Sequence, residues 1–292
     1  MVCPAVAARV DLVTARGPNA ISAADAGLLV LRIGSAACGG FLLIWGGFPH
    51  AGVQGITGRA WAITIVIVLM SLTVAGAGTR SAAAALAVVM ASATLAGLRG
   101  GQSLVQEPAR GAMFVVLYAA MALTGPGALS IEAWGASERA RMGIEPLQPR
   151  ASRIDEGLLV LRLGTGVSLF ALFGITKIGW VAGLVQSPAP WSTWGFAQLI
   201  RSAGFPAPVF LAFCAVLNET VTPVLISAGV FTRVVAVAAV IGMAGATYTS
   251  LWLVEEPVRA MLYVVAFATL AFAGSGAYRL RSPTADRGGH TP

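Results

Sequence analysis

The chain has 292 residues, of which 57% are hydrophobic and 11% charged, with a net charge of +7 and a mean hydropathy of +0.81. Soluble domains carry about 25% charged residues, so a water-soluble globule is excluded and the bilayer is the expected solvent. The basic residues are scattered and not interleaved with aromatics on one face, which argues against nucleic acid as a partner.

Residues 1–26 form an N-terminal segment in which Arg9, Asp11 and Arg16 interrupt any apolar core, so it reads as a cytoplasmic lead-in and not as a cleavable signal peptide. Apolar stretches long enough to span a membrane follow near 27–48, 60–79, 81–98 and 111–131. Residues 132–156 are polar, of mixed charge, and contain Pro146 and Pro149, which predicts a linker. Four further stretches lie near 157–179, 208–230, 234–254 and 259–278, and residues 281–292 form a polar tail. In lipid every backbone polar group must be satisfied within its own segment, so these stretches are helices. The expected fold class is an all-α polytopic membrane protein: two tandem four-helix transmembrane bundles, 27–131 and 157–280, with eight spans.

The two halves are copies of one module. GLLVLRIG at 27–34 recurs as GLLVLRLG at 157–164, seven matches in eight at an offset of 130. TRSAAAALAVVMASAT at 79–94 recurs at 232–247 with eight matches in sixteen, and the segment from Glu107 recurs from Glu256 with ten in twenty-two. Colinear blocks of this kind mark an internal repeat. An even number of spans per copy makes the repeats parallel in the membrane.

Loop charge predicts the orientation. Eleven basic residues (Arg9, Arg16, Arg80, Arg139, Arg141, Arg150, Arg153, Arg233, Arg279, Arg281 and Arg287) fall on the side of both termini, against six on the other. By the positive-inside rule both termini are cytoplasmic, and the net positive charge also suits anionic lipid. Arg32 and Arg162 occupy equivalent places near the start of each copy and read as headgroup anchors, with a ligand role as the alternative. Glu107/Arg110 and Glu256/Arg259 sit three apart at helix starts and read as structural caps on the opposite face.

Several chemistries find no support. Cys3, Cys38 and Cys214 have no CxxC spacing, so a dithiol relay is not expected, and Cys38 and Cys214 read as small packing residues within helices. His50 and His290 lie in a loop and the tail, leaving no intramembrane haem pair, and no flavin or metal motif is visible. Gly164 and Gly166 lie within a span, where small residues admit a neighbouring helix.

The remaining polar set belongs to the second copy. Glu219, flanked by Asn218, Thr220 and Thr222 and followed by Pro223, falls near the middle of the sixth span. A carboxylate at that depth costs about 2.5–3.5 kcal/mol on insertion scales and must be paired, protonated or turned toward a cavity. Lys177, the sole lysine, lies toward the outer end of the fifth span, where snorkelling is the alternative to a site role. It is roughly 13 Å along the helix from the midplane at 1.5 Å per residue, so contact with Glu219 needs a tilted helix or a water. At the equivalent positions the first copy has Gly47 and Val66, and it lacks about 23 residues between its first two spans. The additional segment in the second copy, roughly 180–207, carries Trp180, Trp191, Trp194, Phe196 and Phe205; a lid and an interfacial anchor are both open readings.

The runs LLVLRLGTGVSLFALFGITK, LNETVTPVLISAGVFTR and EPVRAMLYVVAFATLAFAGSGAY make 157–280 resemble the DoxX family of four-helix bacterial membrane proteins, with G-x-F-T-R at 229–233 the most specific piece. Residues 27–130 share the likeness more faintly, and Phe173 stands where family members often carry His. The resemblance implies membrane redox chemistry, notably of the thiosulfate:quinone oxidoreductase type. On that basis the expectation is a quinone-linked oxidoreductase subunit of the bacterial plasma membrane. Glu219 and Lys177 are its candidate catalytic pair, as proton carrier and anion-fixing group; Asn218, Thr222, Tyr248 and Trp180 are candidate quinone-binding residues. A redox partner subunit and homo- or hetero-oligomers fit this reading. A small-solute transporter or an assembly scaffold is the competing one.

Overall fold

The structure, a computed structural model, describes residues 21–44, 56–100, 107–142, 153–187, 189–253 and 255–278. Among them all regular structure is helical: α1 Ala23–Ile44, α2 Ile56–Ala75, α3 Thr79–Arg99, α4 Glu107–Thr124, α5 Ile131–Arg141, α6 Ile154–Leu169, α7 Ile175–Gln186, α8 Gly195–Ser202, α9 Pro208–Ala228, α10 Thr232–Trp252 and α11 Val258–Ala273. A π-helical turn, Phe170–Gly174, joins α6 to α7 without a break.

Five helical segments are long and apolar enough to cross a membrane: Ala23–Leu43, Thr79–Arg99, Ile154–Gln186, Pro208–Ala228 and Thr232–Trp252. Three shorter apolar helices, Ile63–Ala75, Ala109–Thr124 and Val258–Ala273, occupy the remaining expected places. Large apolar side chains such as Val88, Leu95, Phe210, Val234 and Ile241 point outward, as a bilayer environment requires. The protein is a polytopic helical membrane protein. Gly47 and His50 lie outside the described residues, as do Cys3 and the 281–292 tail.

Two elements differ from the sequence reading. The 132–156 segment contains α5, started by Ser130, whose hydroxyl accepts the Ala133 amide at 3.1 Å. Glu132 then accepts the Thr79 amide at 3.0 Å, tying α5 to the start of α3. The fifth span does not end near residue 179 but runs for 33 residues to Gln186. At 1.5 Å per residue that is about 50 Å, well beyond the roughly 30 Å hydrocarbon core.

The repeat is reproduced in the turns. Asp25 Oδ1 accepts the Ala128 amide at 2.9 Å, and Asp155 Oδ1 accepts the Ala277 amide at 2.8 Å. Arg32 donates to the carbonyls of Pro126 (2.5 Å) and Leu129 (2.7 Å), while Arg162 donates to those of Ser275 (3.0 Å) and Tyr278. Both arginines are buried, at 2% and 3% exposure, so they are not headgroup anchors. They satisfy carbonyls beyond the end of their copy's last helix, which no intrahelical donor reaches. The G-x-F-T-R piece is likewise a turn: Gly229 and Phe231 both take left-handed φ values, 74° and 46°, as do Gly76 and Gly78 in the first copy.

The two four-helix units share one core. Within each unit, neighbouring helices pack in sequence, but α1 also packs along α11 and α6 along α4. Each copy's first helix thus lies on the other copy's last. Small residues make the approach possible. A Cβ on Gly157 would fall 2.8 Å from the Ala120 carbonyl oxygen, and one on Gly27 would fall 2.9 Å from that of Thr269. Around this seam Leu31, Leu42, Phe114, Tyr118, Leu161, Phe267 and Leu270 are almost wholly buried. Cys38 packs in the same core, whereas Cys214 faces outward and is not a packing residue.

Gly157→Ala is expected to lower the thermal unfolding midpoint, at a cost of about 1–3 kcal/mol for the overpacked seam. Gly179→Ala, where a Cβ meets nothing within 4 Å, should be neutral or stabilising by up to about 1 kcal/mol. Unfolding of both variants in detergent checks the contrast.

Candidate functional site

The site is built on α9. Pro208 starts this helix, and Gly229 ends it with a left-handed cap whose amide bonds the Ile226 carbonyl at 3.0 Å. Between them Pro223 has no amide to give the Glu219 carbonyl. That carbonyl faces the π turn at Gly174, where a Cβ would lie 2.4 Å from the oxygen. Only glycine admits the approach, and it brings the π turn directly against the carboxylate-bearing turn of α9.

The π turn also sets the direction of Lys177. One additional residue in a helical turn rotates all that follows by about 100° relative to an uninterrupted helix. Lys177, at 8% exposure, then points inward, and its Nζ lies 3.9 Å from Glu219 Oε2. This is an ion-pair contact, too long for a hydrogen bond. The Lys177 ammonium is also 3.4 Å from the ring centre of Phe196 and 4.2 Å from that of Trp180. Each such contact contributes about 0.5–2 kcal/mol when desolvated. Phe196 belongs to α8, which packs on α9 through Ala197, Ile200 and Ala212. The aromatic segment therefore covers Lys177.

On its other side Glu219 borders a cavity of about 130 Å³ within the second copy. Leu169 and Phe173 line it from α6 and the π turn, Met243, Ala246 and Ser250 from α10, Glu256 from just before α11, and Arg259, Ala260 and Tyr263 from its first turns. Phe173 and Tyr263 meet edge to face at 6.2 Å. The Tyr263 hydroxyl donates to Ser168 at 3.2 Å. The wall thus joins two carboxylates, a guanidinium, a serine and two aromatic rings to apolar side chains. Glu219 Oε2 and Glu256 Oε1 are buried without a hydrogen-bond donor.

Of the sequence candidates, the structure brings Glu219, Lys177 and Trp180 together. Asn218 is buried against Gly242 of α10, where a Cβ would meet its Nδ2 at 2.5 Å, and Thr222 is buried one turn further along α9. Tyr248 is exposed, between Phe205 at 5.3 Å and Trp252 at 6.3 Å. None of Asn218, Thr222, Tyr248 and Trp180 lines the cavity. Glu256 and Arg259, expected as a local cap pair, stand on its wall instead. Glu256 pairs across the copies with Arg110 of α4, at 2.6 Å. The signal for these two residues was present as charge at the edge of an apolar run; Tyr263 stood out only as a hydroxyl where the first copy has Phe114.

No group of three or more metal-ligating side chains occurs among the described residues. In the first copy Val66 takes the place of Glu219 and is packed in the core. A helical membrane protein with a buried ion pair beside a polar cavity is the class that this fold and site define. Residues 157–252 of the chain match the DoxX family model, and the match does not extend to the first half. No curated protein and no solved structure matches the chain.

Removing one member of a buried ion pair typically costs about 3–5 kcal/mol, and removing both costs less. Lys177→Met should therefore lower the unfolding midpoint more than the double variant Lys177→Met/Glu219→Gln. A loss in the double variant equal to the sum of those in Lys177→Met and Glu219→Gln, measured by thermal unfolding in detergent, would show the pair to be uncoupled.

Proposed function

We propose that the protein is a quinone-linked oxidoreductase subunit of the bacterial plasma membrane, with both termini cytoplasmic, and that the second-copy cavity receives the quinone head group. The observation that carries this reading is a cavity between four membrane helices in which Glu219 faces aromatic and apolar walls. At about 130 Å³ it is smaller than the roughly 300–1,000 Å³ of a drug-sized pocket, which suits one flat ring without its tail. Phe173 and Tyr263 would flank the ring, while Glu219, Ser250 and Arg259 would meet its oxygens.

A bound quinone supplies two-electron, two-proton redox chemistry. Glu219 gives or takes a proton at the ring oxygen, a task suited to a carboxyl buried among apolar groups. Lys177 holds that side chain in place from the opposite side. Arg259 is the cation on the cavity wall and takes the anion-facing role otherwise expected of Lys177. Electrons reach the site from a partner subunit or directly from the substrate.

Titration of full-length protein in nanodiscs with decylubiquinone should show saturable quenching of tryptophan fluorescence. Glu219→Gln should weaken binding by about tenfold, within the range of one lost hydrogen bond to a charged group, and abolish quinone reduction. No binding by the wild-type protein overturns the reading. Solute uptake into proteoliposomes that depends on Glu219 would favour transport instead, and retained redox partners with a silent Glu219→Gln would favour a scaffold.

A further inference from the structure

The second-copy cavity is held by a helix of the first copy. Arg110 on α4 is 3% exposed, and its Nη1 lies 2.6 Å from Glu256 Oε2 on the cavity wall. One turn along α4, Met113 Sδ lies 3.1 Å from the Ser168 hydroxyl, whose proton the Thr165 carbonyl accepts at the same distance, and Ser168 accepts the Tyr263 hydroxyl at 3.2 Å. One wall residue, the Glu256 carboxylate, is thus oriented from outside its own copy. Glu256 Oε2 is spent on Arg110, while its Oε1 remains buried with no donor.

We propose that α4 is the positioning arm of the second-copy site, with Arg110 orienting Glu256. The first copy then serves as a built-in partner subunit for the copy that carries the site. This inference rests on the cavity being the ligand site described above, and its test separates the two. Arg110 is a positioning residue, since it does not line the cavity.

The test is carbodiimide labelling in native membranes, because a carboxyl group held in an ion pair is shielded from the reagent. The full chain is treated with dicyclohexylcarbodiimide and modification of Glu256 is followed by mass spectrometry. Arg110→Gln should raise the rate of Glu256 modification several-fold, and Arg110→Lys should stay close to wild type. Arg32→Gln removes a cap of the first copy that lies away from the cavity, and it should leave the rate unchanged. Should Arg110→Gln fail to accumulate, adding Glu256→Gln should restore it, since the stranded carboxylate is gone. Unchanged labelling in Arg110→Gln, an equal rise in Arg32→Gln, or failure of that rescue overturns the proposal. If decylubiquinone protects neither glutamate in the wild type while Arg110→Gln still exposes Glu256, the quinone reading fails and the positioning arm stands.

Discussion

Everything in this molecule depends on how closely two helices can approach in lipid. Hydrocarbon tails are as apolar as leucine, so burial of apolar surface gives helices little reason to associate, and close van der Waals contact must do it instead. The glycine faces of α1 and α6 provide that contact, each against the last helix of the other copy. The exchange locks two similar four-helix units into one core. It also places α6 between α4 on one side and α9 on the other, which fixes the helix that carries the π turn.

The site follows from that placement. Gly174 meets the Glu219 carbonyl, an oxygen that Pro223 leaves without its usual helical donor. The π turn then rotates Lys177 onto the carboxylate, and Phe196 and Trp180 close over the ammonium group. Two charges that would each be costly in the membrane are tolerated because they neutralise one another and because aromatic faces replace water on the lysine. A helix that ran on regularly through Phe170 would direct Lys177 elsewhere and strand Glu219.

Duplication without loss of architecture has let the halves specialise. The turn carboxylates Asp25 and Asp155, the capping arginines Arg32 and Arg162, and the left-handed turn residues are equivalent pairs doing the same work. Interior positions diverge: Val66 opposite Glu219, Phe114 opposite Tyr263. Scaffold residues contact backbone and must be kept in both copies for either to fold. Interior residues of the first copy are freed from any such demand and have become ordinary packing. What the first copy retains toward the second, in Arg110 and Met113, is contact across the seam.

The amino-acid sequence alone determined the solvent, the eight apolar segments and the repeat, because composition and a long hydrophobic run act locally and survive any arrangement of neighbours. It also marked Glu219 and Lys177, since charge inside an apolar run is conspicuous wherever it points. Tertiary structure alone decided that the two meet, because a rotation introduced by one π turn leaves no mark in hydropathy. It likewise turned Arg32 and Arg162 from lipid anchors into helix caps, and it moved Glu256 from a local pair with Arg259 to Arg110. The physical reason is the same in each case. An arginine or carboxylate at a helix end has several partners within reach in sequence, and the choice among them is made by which helices lie alongside.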